Sequence, residues 1–429
     1  MKFNMNKNLH QRDLAHVWHP YTRRSTLTDE GLPVITSAEG IHLIADDGTR
    51  YVDAISSWWC CNLGHGRSEI IAAIQHQAAT LQHSILGNLS HPAAIELAER
   101  LAHLMPTPDR HVLFASDGSS AIEQAVKIAI QYRANTGDTQ RTLVGCLDGA
   151  YHGDTLGAMA LGYLEQFHLP YKRHLFPVVR IPFPTSDDFT EARDILDRHT
   201  DELTAIIVEP LLQGASGMRI YSACWLNALA AWCRANDVLL ILDEIATGFG
   251  RTGTWFAFQQ ADIDPDIVCV GKGLSGGYLP ISATIVRDAI FDTFTDRPAD
   301  HTLQHGHTFC GNPIACAASL AALDLYADGV IEKVPMLGQR LRESVQALDT
   351  HPSVKEIRSI GLMTAIELHA EPPPATGRTR PHRIRIELMK RGILLRPLGT
   401  VLYLMPPLMT TEADLVWMGE ELANTITAS

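Results

Sequence analysis

Five short, almost wholly apolar runs in the middle of the chain constrain its fold more than any other feature. They are "HVLFAS" (111–116), "TLVGCL" (142–147), "AIIVEP" (205–210), "VLLILDE" (238–244) and "DIVCVGKG" (266–273). Runs this short and uniformly apolar read as strands covered on both faces, because half-solvated strands alternate apolar with polar residues. Between them lie amphipathic stretches such as "SSAIEQAVKIAIQYRAN", whose apolar positions 122, 125, 126, 129 and 130 share one helical face. Strand and helix in alternation predict an α/β fold with a mostly parallel, doubly wound sheet.

The flanks differ. "GIHLIADDGTRYVDAIS" (40–56) reads as a hairpin turning at Asp47-Gly48, and residues after about 325 read as helix, strands, helix, strand pair and helix. The expected organisation is a large domain over 61–325 and a small α+β domain assembled from 1–60 and 326–429. "HAEPPPATGRTRPH" (369–382) reads as an exposed loop within the C-terminal part.

Charge and composition exclude some classes. With 35 basic and 48 acidic residues the net charge is −13, which argues against a nucleic-acid or anionic-membrane surface. The N-terminal "MKFNMNKNLHQRDLAHVWHP" lacks the apolar stretch of a signal peptide, and no run is expected to approach the roughly 18 apolar residues of a membrane span. The eight cysteines include no C-x-x-C pair and read as reduced thiols of a cytoplasmic protein. His301, His305 and His307 cluster in "HTLQHGHTF", but no carboxylate or thiolate stands at ligand spacing, so no metal is expected.

"ILDEIATGFGRTG" (241–253) matches two nucleotide motifs at once. Gly248 to Gly253 fits G-x-G-x-x-G, and "LLIL" before Asp243-Glu244 has the look of a hydrolase strand with its acidic pair. Neither reading holds. Four residues separate Asp243 from Gly248, whereas a dinucleotide loop begins at the strand end and opens directly into a helix. A phosphate loop would need Ser or Thr after its lysine, and Gly273 follows Lys272.

A third reading uses Asp243 and Lys272 together. Each ends a predicted parallel strand, at the sheet edge where α/β folds collect ligands. That pair suits pyridoxal 5'-phosphate: the lysine amine condenses with the cofactor's aldehyde, and the carboxylate keeps the pyridine nitrogen protonated. Taken singly, an Asp caps a turn and a Lys is solvated, so the pairing carries the inference. For the phosphate, "SDGSSAIE" (116–123) follows a strand and opens a helix, with Ser120 and Glu123 at capping-box spacing. An ordinary helix cap accounts for that segment equally well.

"LDEIATGFGRTG" followed by "GKG" resembles the signature of class III aminotransferases, which are fold-type-I pyridoxal-phosphate enzymes. Within that class, "HPYT" (19–22), "SSWW" (56–59), "YHGDTLGAMA" (151–160), "EPLLQGASGMR" (209–219), "HGHTFCGNP" (305–313) and "LRPLGTVLYLMPP" (395–407) are similar to one subfamily. Its members aminate 8-amino-7-oxononanoate in biotin synthesis, and the likeness runs from about Trp18 to Pro407.

The resemblance implies a set of roles. Lys272 would bind the cofactor and shuttle a proton, Asp243 would pair with the ring nitrogen, and Tyr151 would stack on the ring. Asp117, Gly118 and Ser119 would hold the phosphate. His307 and Thr308 would reach the phosphate of a neighbouring subunit's cofactor, which implies a homodimer with shared active sites. Trp58, Trp59, Tyr403 and Tyr21 would line the substrate pocket, with Tyr21 also counted as catalytic. Gly306 would lie against substrate and Arg396 would clamp a carboxylate. The subfamily implies S-adenosylmethionine as amino donor, although "KGLSGGYLPI" (272–281) is also similar to members that use lysine. A class III aminotransferase acting on an ω-amino acid would share Lys272 and Asp243 without needing Trp58, Trp59 and Arg396. One departure stands out: the family usually reads Asp-Ser-Gly-Ser where this chain has Ser116-Asp117-Gly118-Ser119. A carboxylate aimed at a phosphate is repelled, so the Asp117 side chain is expected to turn away while its amide still donates.

Overall fold

The computed structural model describes residues 8–30, 32–296, 300–372 and 378–429. Its main sheet has seven strands in the order Arg110–Ala115, Ser282–Arg287, Ile267–Val270, Leu239–Asp243, Leu203–Val208, Leu143–Leu147 and Val179–Ile181. Five of these are the apolar runs of the sequence. Neighbours pair in parallel except around Ser282–Arg287, which runs antiparallel to both of its partners.

The two strands that the apolar pattern missed have physical reasons for being missed. Ser282–Arg287 carries hydroxyls into the interior, where Ser282 Oγ donates to Asp117 O (2.6 Å) and Thr284 Oγ1 to Ala121 O (3.0 Å). Buried polar side chains are tolerated when bonded in this way, and the strand then no longer reads as apolar. Val179–Ile181 has three residues, too few to show any period.

Alternation along the strands builds two cores. Ile241 and Ile267 pack on one face with Ile122, Ala125 and Ala129 of the helix Gly118–Asn135. Leu240, Leu242 and Val268 face the other side, with Trp225 and Leu229 of the helix Ala223–Ala235. Each such Ile, Leu or Val contributes roughly 1.5–3 kcal/mol by leaving water.

Both chain ends meet in a second sheet. Ile35–Glu39, His42–Ala45 and Arg50–Asp53 form an antiparallel meander, and Ile393–Leu394 adds in parallel beside Arg50–Asp53. A third sheet comprises Val354–Ile360, Met363–Leu368 and Val401–Leu404. Arg251, from the glycine motif, ties these regions together while fully buried. Its Nη1 donates to Leu362 O (2.9 Å) and Pro406 O (2.8 Å), and its Nη2 to Ser56 Oγ (3.2 Å) and Asn62 Oδ1 (2.8 Å). Burial pulls its pKa down to about 10.

Two expectations need correction. The helical run Pro313–Ser344 is long and apolar enough to pass for a membrane span. Its apolarity serves the interior instead, since Ala315, Ala318, Ala322, Leu323, Val334 and Leu341 all lie in the core. The loop expected over 369–382 ends early, because Arg380–Lys390 is a helix with Pro381 in its first turn, where a missing amide proton costs nothing. Residues 373–377 of that segment lie outside the described residues.

Candidate active site

Parallel register brings Asp243 and Lys272 to one sheet edge. Asp243 ends its strand opposite Cys269, and Lys272 lies just past the end of the strand Ile267–Val270. Asp243 is buried and held at both oxygens: His152 Nδ1–H donates to Oδ2 (2.7 Å) and the Ile245 amide to Oδ1 (3.1 Å). Lys272 has φ +42°, a left-handed conformation that costs a lysine on the order of 1 kcal/mol. Its Nζ lies 4.8 Å over the Trp59 ring, and among the described residues it makes no hydrogen bond or ion pair. Burial lowers its pKa, opposed by the charges of Asp243 and Glu209. A desolvated amine without a partner is a nucleophile and a usable base.

The helix Gly118–Asn135 starts at the same edge. Asp117 is its N-cap, and its carboxylate turns back to accept from Ser120 N (3.0 Å) and Ser120 Oγ (2.8 Å). The capping box expected between Ser120 and Glu123 does not form. Glu123 instead accepts from Thr155 Oγ1 (2.5 Å) and Ala158 N (3.3 Å), because the helix begins three residues earlier than that box requires. The amides of Gly118 and Ser119 are left without an acceptor among the described residues, which is an anion-binding arrangement. A Cβ on Gly118 would come within 3.0 Å of the Ile245 side chain, so glycine lets the helix start lie directly against the loop that follows Asp243.

The walls come from an unusual turn. Ser56, Ser57, Trp58 and Trp59 have φ of +48°, +46°, +70° and +73°, four successive left-handed residues without a glycine. At about 1–2 kcal/mol per residue this conformation must be held from outside. Ser57 donates through N (2.8 Å) and Oγ (2.7 Å) to Asp53, Ser56 Oγ donates to Met405 O (2.8 Å), and Arg251 reaches the same hydroxyl. The turn sends Trp59 inward and leaves Trp58 38% exposed. Trp59 Nε1–H donates to the hydroxyl of Tyr403 (3.1 Å); Tyr403 is fully buried and backs Trp59.

Outside that wall, the Arg396 guanidinium stacks 4.5 Å over Trp58 and donates to Tyr21 O (2.8 Å), with no carboxylate paired to it among the described residues. Tyr21 meets Trp58 (5.9 Å) and Phe167 (5.3 Å) edge-on, and its hydroxyl donates to Asp154. Burial and Asp154 push its pKa up to about 12. Tyr151 is anchored by its amide, which donates to Glu209 Oε2 (3.1 Å), and burial pushes its phenol up. Glu209 is itself buried, which raises its pKa to about 7.

Three expected residues stand apart. Gly306, His307 and Thr308 are exposed, on a segment tied to the helix Gly118–Asn135 by Gln131 Nε2 to His301 O (3.0 Å) and Lys127 Nζ to His305 Nδ1 (3.0 Å). Among the described residues they make no hydrogen bond to Lys272, Asp243 or residues 117–119. Conversely, His152, Asp154, Phe167, Glu209 and Asp53 belong to the site and were not expected. His152 lies 91 residues before Asp243, and no local pattern marks that contact.

The residues present fit pyridoxal 5'-phosphate: a partnerless amine, a fixed carboxylate and open helix amides share one edge. This fold and site define a fold-type-I pyridoxal-phosphate-dependent transferase. The chain belongs to the class III aminotransferases, since the family model described as "Aminotransferase class-III" matches residues 26–426. It is 41% identical to the adenosylmethionine-8-amino-7-oxononanoate aminotransferase of Nitratidesulfovibrio vulgaris, over 97% of this chain and 80% of that protein. The crystal structure of the enzyme of that name from Methanocaldococcus jannaschii superposes with a TM-score of 0.93 at 36% identity, covering 98% of this chain and 99% of that one. The omega transaminase from Pseudomonas jessenii in complex with PMP superposes at 0.91 with 28% identity, covering 98% of each chain.

Proposed function

We propose that the chain converts 8-amino-7-oxononanoate to 7,8-diaminononanoate for biotin synthesis, with S-adenosylmethionine as amino donor, as a cytoplasmic homodimer. One observation carries the reading: the partnerless Lys272 amine and the fixed Asp243 share one sheet edge, with Trp59 over the amine and an arginine without a carboxylate partner among the described residues stacked on Trp58. The near-full-length relatives named for this reaction support the choice of substrate.

When bound, pyridoxal phosphate supplies an electron sink for charge developing at the donor carbon. Asp243, oriented by His152, holds a proton at the pyridine nitrogen. Lys272 Nζ would take up the proton that leaves the donor carbon and return it on the same side, a task suited to its lowered pKa. The Gly118 and Ser119 amides bind the phosphate while Asp117 keeps its carboxylate on Ser120. Tyr151 would cover the ring, and Trp58, Trp59 and Tyr21 would exclude water from the reacting carbon. Arg396, already flattened on Trp58, holds the keto substrate's carboxylate by its planar fork. Gly306, His307, Thr308 and Phe309 are exposed, Phe309 at 61%, which suits this segment to meeting a second subunit.

Protein reconstituted with pyridoxal phosphate and given 8-amino-7-oxononanoate is expected to form the diamine with S-adenosylmethionine, and not with lysine, glutamate or 1-phenylethylamine. Turnover with lysine alone assigns the other donor; turnover only with the arylamine makes the chain an ω-amine aminotransferase. Mixed dimers of Lys272→Ala and Thr308→Ala subunits test the shared site, since one complete site should return where Lys272 and Thr308 come from different chains.

A further inference from the structure

Directly after the strained turn come two adjacent cysteines that the proposed reaction does not use. All eight cysteines are free thiols, and Cys60 and Cys61 are the pair among the described residues whose sulfurs approach, at 3.9 Å. Cys60 Sγ donates to Ser57 O (3.1 Å) inside the turn, so the pair is coupled to the Trp58-Trp59 wall. Cys61 is buried, but it lies under Gly277, an exposed residue with φ +85° where a Cβ would stand 2.6 Å from Cys61 Sγ. Glycine at 277 therefore leaves an approach to that sulfur that any other residue would fill. The hydrogen bond with Cys61, and next the charge of Lys272, hold the Cys60 thiol below its ordinary pKa against the opposing effect of burial. Cys60 is thus the sulfur that ionises first and attacks first.

The geometry favours one soft atom between the sulfurs over a direct bond. Consecutive Cα atoms lie about 3.8 Å apart, short of the roughly 4.4–6.8 Å of ordinary disulfides. By contrast, two bonds of about 2.3 Å, the length of a Zn–S bond, to a single pyramidal trivalent centre separate the sulfurs by roughly 3.4 Å. The 3.9 Å observed lies within a small side-chain rotation of that span.

We propose that Cys60 and Cys61 form a dithiol site for a thiophilic bridging centre, of which a monosubstituted trivalent arsenical is the type, and that its occupation shuts the substrate pocket. In the capture step both arsenic–oxygen bonds of the arsenoxide are replaced by arsenic–sulfur bonds. The two thiol protons leave with the oxygen as one water, and no oxidation state changes. Capture removes the Cys60 hydrogen bond to Ser57 O in a turn already strained, so Trp58 and Trp59 shift.

The test treats holoenzyme with phenylarsine oxide. Intact mass should rise by one phenylarsenic bridge per chain, two titratable thiols should disappear, and peptide mapping should place the adduct on residues 60 and 61. Ethanedithiol should reverse it and 2-mercaptoethanol should not, whereas Cys60→Ser and Cys61→Ser should each hold no adduct through a mercaptoethanol wash. An unmodified wild type, an adduct mapped to other cysteines, or one that survives in either variant overturns the proposal. Mapping on the wild type decides the matter even if a variant misfolds. Amino transfer should fall at least tenfold on capture and return with ethanedithiol; full activity with the bridge in place overturns the closing of the pocket. This last readout rests on the proposed function, whereas mass and thiol count do not, so an enzyme inactive before treatment counts only against the function.

Discussion

Replacing Arg251 with methionine keeps most of the side-chain volume and removes a guanidinium shared by four acceptors. Those acceptors, Leu362 O, Pro406 O, Ser56 Oγ and Asn62 Oδ1, are contributed by segments far apart in the chain. A buried acceptor without a donor costs about 2 kcal/mol, so the four together lose roughly 8 kcal/mol. The charge itself is unfavourable where it lies: burial moves its pKa well below the ordinary arginine value, to about 10. That shift is worth roughly 3 kcal/mol, which methionine recovers. The net expectation is a loss of about 5 kcal/mol, read as the shift of the urea midpoint of holoenzyme multiplied by its slope. Arg251→Lys keeps a charge but has no planar fork to serve acceptors on two sides, and should fall between the two. Because Ser56 opens the left-handed turn, Arg251→Met should also weaken substrate binding in whatever fraction stays folded. A loss under about 1 kcal/mol with KM unchanged refutes the idea that Arg251 holds the pocket walls in place.

Three other outcomes are expected. His152→Ala frees Asp243 Oδ2, and should lower kcat by tenfold or more and weaken cofactor retention, measured by dialysis and visible absorbance; unchanged retention counts against a positioning role. Arg396→Ala should raise KM for the keto acid by about 10- to 100-fold, the value of a charge-assisted hydrogen bond, with kcat nearly constant. Glu209 has a folded pKa near 7 against an ordinary 4.5, so its contribution to stability is complete below about 4.5 and is lost as pH rises through 7. Integrated over that window the loss is roughly 3 kcal/mol, and Glu209→Gln should flatten the wild-type decline; an equally steep curve in the variant excludes Glu209 as its source.

The apolar runs were legible because strands buried on both faces carry no polar residues, and each of the five lies in the main sheet. The hairpin at Asp47-Gly48 was legible for a similarly local reason, a turn dipeptide between two strands. Ser282–Arg287 was not, since its hydroxyls find acceptors only after the helix Gly118–Asn135 has packed beside it. The same division runs through the site. Asp243 and Lys272 follow from strand ends and could be paired on the sequence alone. Their surroundings could not: His152 reaches Asp243 across 91 residues, and Arg251 reaches Ser56 across 195.

"SSWW" shows the limit most sharply. The letters identify two aromatic walls, and nothing in them predicts four left-handed residues in succession. That conformation is unfavourable on its own and exists because Asp53, Met405 and Arg251 hold it. By itself, then, the sequence determined the α/β sheet, the lysine–carboxylate pair and the family likeness, all of which depend on local pattern or on motif. Tertiary structure alone decided which tryptophan faces the lysine and what holds the wall. Both depend on Met405, Tyr403 and Arg251 reaching the turn, contacts that join residues far apart in the chain.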